Sequence, residues 1–524
     1  MQSRNKTILL YNGVYAASKQ ADENMSLALM ALSAYVKPHG FQCRIIVDST
    51  PQSELELLVP GAVALGISMY TGSSIVSSMK MAARVKKLKP LLPVICGGYH
   101  PSFEPAQVLA SPLFDYVVRG EGEQTLLELV EMITGGGVID PSKVCGLSYR
   151  LIGGGIAHNP DRMARSIQEY PPLDYGLYKG SQLADIPYIS SRGCPFRCRF
   201  CCSQKYSKML GRRYDHLPAE RVCEEVQQLV ANFKPQKISF WDDTFLINLD
   251  RIMKFVSEWK RLGLEVNWSA LGRCDTFSKI GDQCLPALKS CNLGALYFGV
   301  ESGSPRMLKH IRKDINVDQV LATAECLARH KVEGYFFFIN GFPSETLEDV
   351  EQSLELRRQI KRIWNRLSVV SFVFNPLPGT ELYDECVQQW GWPERKVLDD
   401  WAEGYEYHTF RPPWLPFKHR NRITAVSWAS FFENLSKEDL CSYPRLLRGV
   451  MAFLGADARF RFKRSWFGFA PEFLLISSLV LAKTKRDLRR FKHEVHSAGG
   501  YPPSCHAGPS ETPLATTCAS CSQL

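Results

Sequence analysis

From Thr7 to about Gly135, short apolar runs alternate with amphipathic stretches. This is the pattern of an open parallel α/β sheet. The predicted strands are Thr7–Tyr11, Gln42–Asp48, Ala62–Ser68, Pro93–Gly97 and Tyr116–Arg119, with helices over Asn24–Lys37 and Ser73–Lys87 between them. Glycine and proline then interrupt the pattern at Gly135-Gly136-Gly137, Gly153-Gly154-Gly155 and Pro171-Pro172-Leu173-Asp174, which predicts a small hairpin and a crossing linker. Alternation resumes with strands at Ile186–Ser191, Lys237–Trp241, Glu265–Ala270, Ala295–Val300, Gly334–Asn340 and Val369–Phe374, separated by helices such as Ala219–Asn232, Val317–His330 and Leu347–Ile363. Six such units rather than eight predict a partial, open barrel, and the pattern turns irregular and aromatic beyond about Tyr383.

The expected organisation is therefore a Rossmann-like (flavodoxin-like) sheet over 1–135, a linker over 136–180, a partial (β/α)6 barrel over 181–385, a mainly helical region over 386–497 and a disordered tail over 498–524. A chain of 524 residues is too long for one ordinary core. Its 45% hydrophobic and 22% charged residues are those of a soluble globular protein, and a net charge of +10 is too dilute for a nucleic-acid binder. The N-terminus lacks an apolar leader, and the most apolar run, Phe473 to Ala482, is about half a bilayer span. With 17 cysteines this predicts a reducing cytoplasm and thiols that are free or metal-bound.

In both sheets the informative residues fall where strands end, the edge at which open α/β sheets and barrels bind ligands. Ser68, Thr71 and Gly72 end the third strand, Gly97, Gly98 and His100 the fourth, and Gly120, Glu121 and Gly122 the fifth. The glycines permit close approach of a large ligand, and the hydroxyls can bond its polar rim. After the first barrel strand and the Arg192-Gly193 turn comes Cys194-Pro195-Phe196-Arg197-Cys198-Arg199-Phe200-Cys201. Three thiolates on one short loop can hold three corners of an iron–sulfur cluster whose usual complement is four cysteines, leaving one iron open. A zinc knuckle would need a fourth protein ligand at related spacing, and no further Cys-x-x-Cys follows within its reach.

The cysteine loop, with Phe200 before its last thiol, resembles the signature of the radical S-adenosylmethionine superfamily. The glycine-rich strand ends of 66–123 resemble the cobalamin-binding domain fused in front of many such enzymes. The resemblance covers roughly residues 7–385 and implies a [4Fe-4S] cluster on Cys194, Cys198 and Cys201, with S-adenosylmethionine on its open iron and cobalamin on the first sheet. It implies that Phe200 packs near the adenine and that Glu301 and Ser302, in Gly299-Val300-Glu301-Ser302-Gly303, contact the ribose and methionyl part. Asp242 and Asp243 occupy the place of a more usual Gly-Gly-Glu; they face the cosubstrate's amino group or form a carboxylate pair in a turn. Arg273 faces its carboxylate or forms an internal ion pair. The Asp-x-His-x-x-Gly motif that supplies an axial histidine is absent from the sequence, so cobalt without protein imidazole is expected.

The family resemblance implies an enzyme that methylates an unactivated carbon of a small organic or lipid-like substrate through a 5′-deoxyadenosyl radical and methylcobalamin. The alternatives are a non-methylating cyclase or rearranging enzyme of the same family and, in another class, a cofactor-binding redox sensor. An electron donor such as flavodoxin or ferredoxin, a monomeric state and no nucleic-acid partner are expected.

The C-terminal aromatics, among them Trp390, Trp392, Trp401, Tyr405, Tyr407, Trp414, Trp428, Phe431 and Phe432, either enclose a substrate or fill a helical core. Residues 459–492 interleave cations with aromatics and read as one helix buried in a basic surface rather than as a peripheral membrane patch. Cys505-His506 and Cys518-Ala519-Ser520-Cys521 close the chain, and no metal is assigned to them.

Overall fold

The computed structural model describes residues 6–13, 25–137, 139–178, 183–402, 410–435, 445–464 and 466–480, together with 482 and 486. The cysteines after residue 500, the predicted tail, Tyr405 and Tyr407 lie outside the described residues.

Two sheets form the frame. The first holds β1 (Lys6–Asn12), β2 (Phe41–Ile46), β3 (Ala62–Ser68), β4 (Val94–Gly97), β5 (Tyr116–Val118), β6 (Leu147–Arg150) and β7 (Ile156–His158) in the order β2-β1-β3-β4-β5-β6-β7. The strands β1 to β5 are parallel, in the flavodoxin-like order. The predicted hairpin exists, but it is no part of a free linker: β6 pairs antiparallel with β5 and extends the first sheet past residue 135. Buried Val144 and Leu147 tie it to the core beneath the sheet.

The second sheet is fully parallel. It runs β15-β14-β13-β12-β11-β8, with β8 (Asp185–Tyr188), β11 (Lys237–Phe240), β12 (Asn267–Gly272), β13 (Leu293–Glu301), β14 (Glu333–Asn340) and β15 (Ser368–Val373). Six strands leave it open, as expected. The first predicted strand is shorter than the sequence implied, because its end turns into β9 (Ser191–Gly193), which pairs antiparallel with β10 (Tyr214–His216). At Gly193, φ is +82° and a Cβ would stand 2.4 Å from the Arg213 carbonyl, so only glycine lets the two strands meet there.

Apolar burial follows the helix periods. Helix Ala219–Phe233 turns Val222, Cys223, Val226 and Leu229 inward, onto a barrel core with Trp259 and Trp268. A larger core joins the outer face of the first sheet to the C-terminal region, through Phe342, Phe374, Trp401, Phe432 and Phe473. Trp392, Trp401, Trp428 and Phe432 are core residues of this layer, which decides their role in favour of packing.

Candidate functional site

A cavity of about 330 Å³ opens between the carboxyl ends of the two sheets. One wall is Gly66, Ser68, Gly97, Gly98, Tyr99 and Gly120 to Glu123; the other includes Arg192, Gly193, Ser203, Tyr206, Trp241 and Asp243. Gly98 has φ +106° and ψ −174°, a conformation essentially restricted to glycine, and a Cβ there would lie 2.7 Å from the Met69 carbonyl oxygen. The Trp241 ring is 61% exposed although it lines the cavity, which leaves an aromatic face for a ligand. Tyr99 and Tyr206 meet across the seam with ring centroids 4.7 Å apart.

Thr71, Gly72 and His100 do not line this cavity, contrary to expectation. Thr71 Oγ1 and His100 Nδ1 are hydrogen-bonded at 3.0 Å, and the imidazole lies edge-on to Trp401 at 5.6 Å. The Gly72 amide donates to the Trp401 carbonyl. The chain around Trp401 thus occupies this side of the sheet, turning the histidine away from the cavity. Complete burial lowers the His100 pKa to about 3.

The cysteine loop lies beside the second wall. Cys201 N donates to Cys198 O, closing a turn that puts both thiols on one side of the loop. Arg199 clamps the loop from outside, pairing with Glu381 at 3.1 Å and Glu385 at 2.8 Å. Burial pushes the Cys194 thiol up to about 12 and raises Cys198, for which Lys313 and Arg273 act in the opposite direction. A hydrogen bond from Cys202 draws Cys201 down, to about 7. Three clustered thiols flanked by two buried cations suit an anionic iron–sulfur cluster.

Arg273 forms the internal ion pair, with Nε 3.0 Å from Asp275. Its guanidinium also stacks 3.7 Å from the centre of the Phe196 ring and donates to Cys198 Sγ at 3.7 Å. Glu301 is paired with Lys313 at 2.8 Å, both nearly buried. It holds φ at +70°, where the β13 register shifts against β14. A non-glycine residue in this region stores strain, and such strain concentrates at functional sites. Ser302 is fully buried; its hydroxyl meets Ser353 and accepts from Ser304 N. Phe200 packs 5.8 Å from Phe342, with the Lys313 ammonium 5.9 Å from its ring.

The paired carboxylates separate. Asp242 is buried and accepts from the Ser190 amide at 3.1 Å and the Ser190 and Ser191 hydroxyls, so it shapes the strand end and does not face the cavity. Asp243 does face it; enclosure by the walls and the neighbouring Asp242 raise its pKa.

Glu121 stands at the cavity wall, with protein partners that its sequence neighbourhood does not announce. Its carboxylate lines the cavity but is engaged by Arg192 at 3.3 Å, by Arg212, and by Tyr170 Oη at 3.2 Å. Arg192 reaches Glu123 at 2.6 Å as well. This network ties the end of β5 to the β9–β10 hairpin across the seam. Sequence reasoning missed Arg192 and Arg212 as partners of Glu121 because they are 71 and 91 residues away, and Lys313 because a helix separates it from Glu301. Arg192, next to the cysteine loop, was the one with a local signal.

Residues 17–130 match the B12 binding domain and residues 188–357 the radical SAM superfamily. An uncharacterized methyltransferase of Pyrococcus horikoshii is 32% identical over 330 residues, 62% of this chain and 69% of that protein. An anaerobic magnesium-protoporphyrin IX monomethyl ester cyclase of Rubrivivax gelatinosus is 25% identical over 374 residues, 68% of this chain and 65% of that one. A cytidylyl-2-hydroxyethylphosphonate methyltransferase of Streptomyces wedmorensis is 24% identical and the match covers 56% of this chain and 60% of it. The chain thus spans about two thirds of the length of these relatives.

Among solved structures, the cobalamin-dependent S-adenosylmethionine radical enzyme OxsB, with aqua-cobalamin and S-adenosylmethionine bound, superposes with a TM-score of 0.65 at 16% identity, over 96% of this chain and 82% of that one. The radical S-adenosylmethionine methyltransferase TsrM from Kitasatospora setae, with cobalamin and a [4Fe-4S] cluster, gives 0.63 at 14% identity over 87% and 99%. With both domains matched in order, and a relative above 30% identity over more than two thirds of its length, the chain belongs to the cobalamin-dependent radical S-adenosylmethionine enzymes, whose cofactors are a [4Fe-4S] cluster, S-adenosylmethionine and cobalamin.

Proposed function

We propose that this enzyme transfers a methyl group to an unactivated carbon of a small organic or lipid-like substrate. The observation that carries the reading is a cavity whose opposite walls are the glycine-rich ends of the first sheet and the strand ends beside the cysteine loop. When bound, the cluster supplies the electron that cleaves S-adenosylmethionine to a 5′-deoxyadenosyl radical, and cobalamin supplies the methyl carrier.

Each residue's part follows from its surroundings. Cys194, Cys198 and Cys201 hold the cluster, and Arg273 and Lys313 offset its negative charge. Ser68, Gly97, Gly98 and Gly120 admit the corrin to the sheet edge. Asp243 receives the cosubstrate's amino group, because Asp242 is already committed to Ser190 and Ser191. Glu301, held by Lys313, is oriented before any ribose arrives. Reduced flavodoxin or ferredoxin is the electron donor in this reading, and the enzyme works as a monomer in the cytoplasm.

Methyl transfer consumes two S-adenosylmethionine molecules per turnover: one leaves as S-adenosylhomocysteine, the other as methionine and 5′-deoxyadenosine. The test is reduced, cobalamin-loaded enzyme with methyl-labelled S-adenosylmethionine and extract of the host cell. Matched amounts of the two coproducts, with label in a new organic product, support the proposal. The relatives named as cyclases favour one second reading, in which the same residues serve ring closure. Substrate-dependent 5′-deoxyadenosine without matched S-adenosylhomocysteine would replace methyl transfer by that reading.

A further inference from the structure

The C-terminal helices carry a feature that the reaction does not use. Helix Arg445–Arg464 and the helix over 471–480 each bury one face: Leu454, Ala458 and Phe462 in the first, Phe473 and Ser477 in the second. The faces turned to solvent are nevertheless apolar. Phe453 is 68% exposed, Leu475 61% and Leu479 62%, and Phe469, in the connection between the helices, 70%. Val450 and Trp466 are about half exposed. At roughly 100° per residue, Val450, Phe453 and Phe460 fall within about 80° of one another, so they make a stripe along the first helix. The sequence-based expectation of one buried helix is therefore only half met.

Charge identifies what such a surface would meet. Between residues 445 and 480 the acidic side chains are Asp457 and Glu472, and Arg461 pairs with both at 2.7 Å. Exposed Arg464 falls within the stripe and exposed Lys463 about 60° from Phe460, with exposed Arg459 further round the helix, and the Arg464 guanidinium lies 4.1 Å from the Phe460 ring centre. Aromatic and aliphatic side chains rimmed by cations, on helices anchored by an opposite buried face, suit insertion at the headgroup boundary of an anionic bilayer. A protein interface is depleted in lysine but enriched in arginine and aromatics, so a second copy of the chain is the competing occupant that the test must separate. No helix among the described residues is long and apolar enough to cross a membrane.

We propose that this face docks the enzyme peripherally on membranes containing anionic phospholipid. The inference is independent of the reaction type, and its test needs no turnover. The full-length protein is sedimented with vesicles of equal parts phosphatidylglycerol and phosphatidylcholine, and with phosphatidylcholine vesicles alone. Binding to the anionic vesicles is expected to be about tenfold tighter and to weaken as salt shortens the Debye length from about 10 Å at 0.1 M. The variant F453S/F469S/L475S should lose about tenfold in vesicle binding while keeping its cobalamin content. If it does not fold, R459Q/K463Q/R464Q should lose the preference for phosphatidylglycerol instead. Equal binding to both vesicle types overturns the proposal. So does an unchanged variant, or a wild-type dimer that the variants convert to monomer without any vesicle binding, which would assign the face to a second copy of the chain.

Discussion

Both sheets present their chemistry at the carboxyl ends of parallel strands, yet they furnish those ends in opposite ways. Most of the first sheet's ends are small and uncharged: Ser68, Gly97, Gly98 and Gly120 face the cavity and leave room, while the carboxylates of Glu121 and Glu123 beside them are tied to Arg192 and Arg212. The barrel ends are filled. Arg273 with Asp275, Glu301 with Lys313 and Asp242 with its two serines occupy the strand ends around the cysteine loop. A bulky cofactor bound largely by shape needs space and close backbone approach. A cluster held by a short loop needs that loop fixed, and buried ion pairs fix it at the cost of desolvation. The difference shows that parallel strand ends can serve either as a cradle or as a clamp, according to side-chain volume and charge.

The largest effects should come from breaking one side alone. Changing Cys194, Cys198 and Cys201 together to Ala is expected to reduce reconstituted iron from about four per chain to none and to abolish absorbance near 400 nm. Hydroxocobalamin should still bind, because the first sheet is untouched. The reciprocal change, Gly98→Ala, forces a Cβ against Met69 at φ +106°. It should cost about 1–3 kcal/mol of stability and most of the cobalamin binding, with iron content unchanged. Cobalamin and iron assays on the two variants check this reciprocity. Loss of both cofactors in either variant would contradict the division of labour.

Next comes the seam. Arg192→Met would leave Glu123 buried without its partner, a change on the order of 3–5 kcal/mol. Because Glu121 keeps Arg212, the first sheet and barrel should loosen from one another before either unfolds. Calorimetry of the apo-protein should then show two transitions in place of one.

A smaller effect is expected at His100. Burial holds its folded pKa near 3, below its ordinary value. The unfolded chain therefore takes up a proton that the folded chain refuses, and stability present above about pH 6.5 is lost as pH falls toward 3. Denaturant unfolding of wild-type apo-protein at pH 7 and pH 5 should show this loss, at up to about 1.4 kcal/mol per pH unit. His100→Gln should flatten the dependence over that window. A variant with the same slope as wild type would mean that His100 is not held neutral.

The strands, their order in the chain and the cysteine loop were legible because they rest on local signals: apolar period, glycine turns and cysteine spacing. The predicted β3 coincides with the observed Ala62–Ser68, and helix Val317–His330 with its prediction. Partnership was less legible. Nothing near Glu121 in sequence announces Arg212, and nothing near His100 announces Trp401, so the ion pairs that hold Glu121 at the cavity wall were missed and His100 was read as facing a ligand when it faces protein. A strand-end residue can point to either, and long-range packing decides which. The hairpin of β6 and β7 was misplaced for the same reason, since its glycines mark turns but not the edge against which it pairs.

The cradle and the residues that flank the cysteine loop, Gly193 before it and Ser203 after it, open onto one chamber. Trp241, Ser203 and Asp243 line the cavity, and Asp243 acts electrostatically on Cys194 and Cys201. The direct test is electron paramagnetic resonance of cobalt(II) in the reconstituted protein, with the cluster reduced and, in the triple cysteine variant, absent. Two paramagnets in adjoining walls should interact, so cobalt(II) relaxation is expected to be markedly faster with the reduced cluster present. Identical cobalt(II) relaxation in both samples, with iron and cobalt each confirmed bound in the wild type, would contradict a shared chamber.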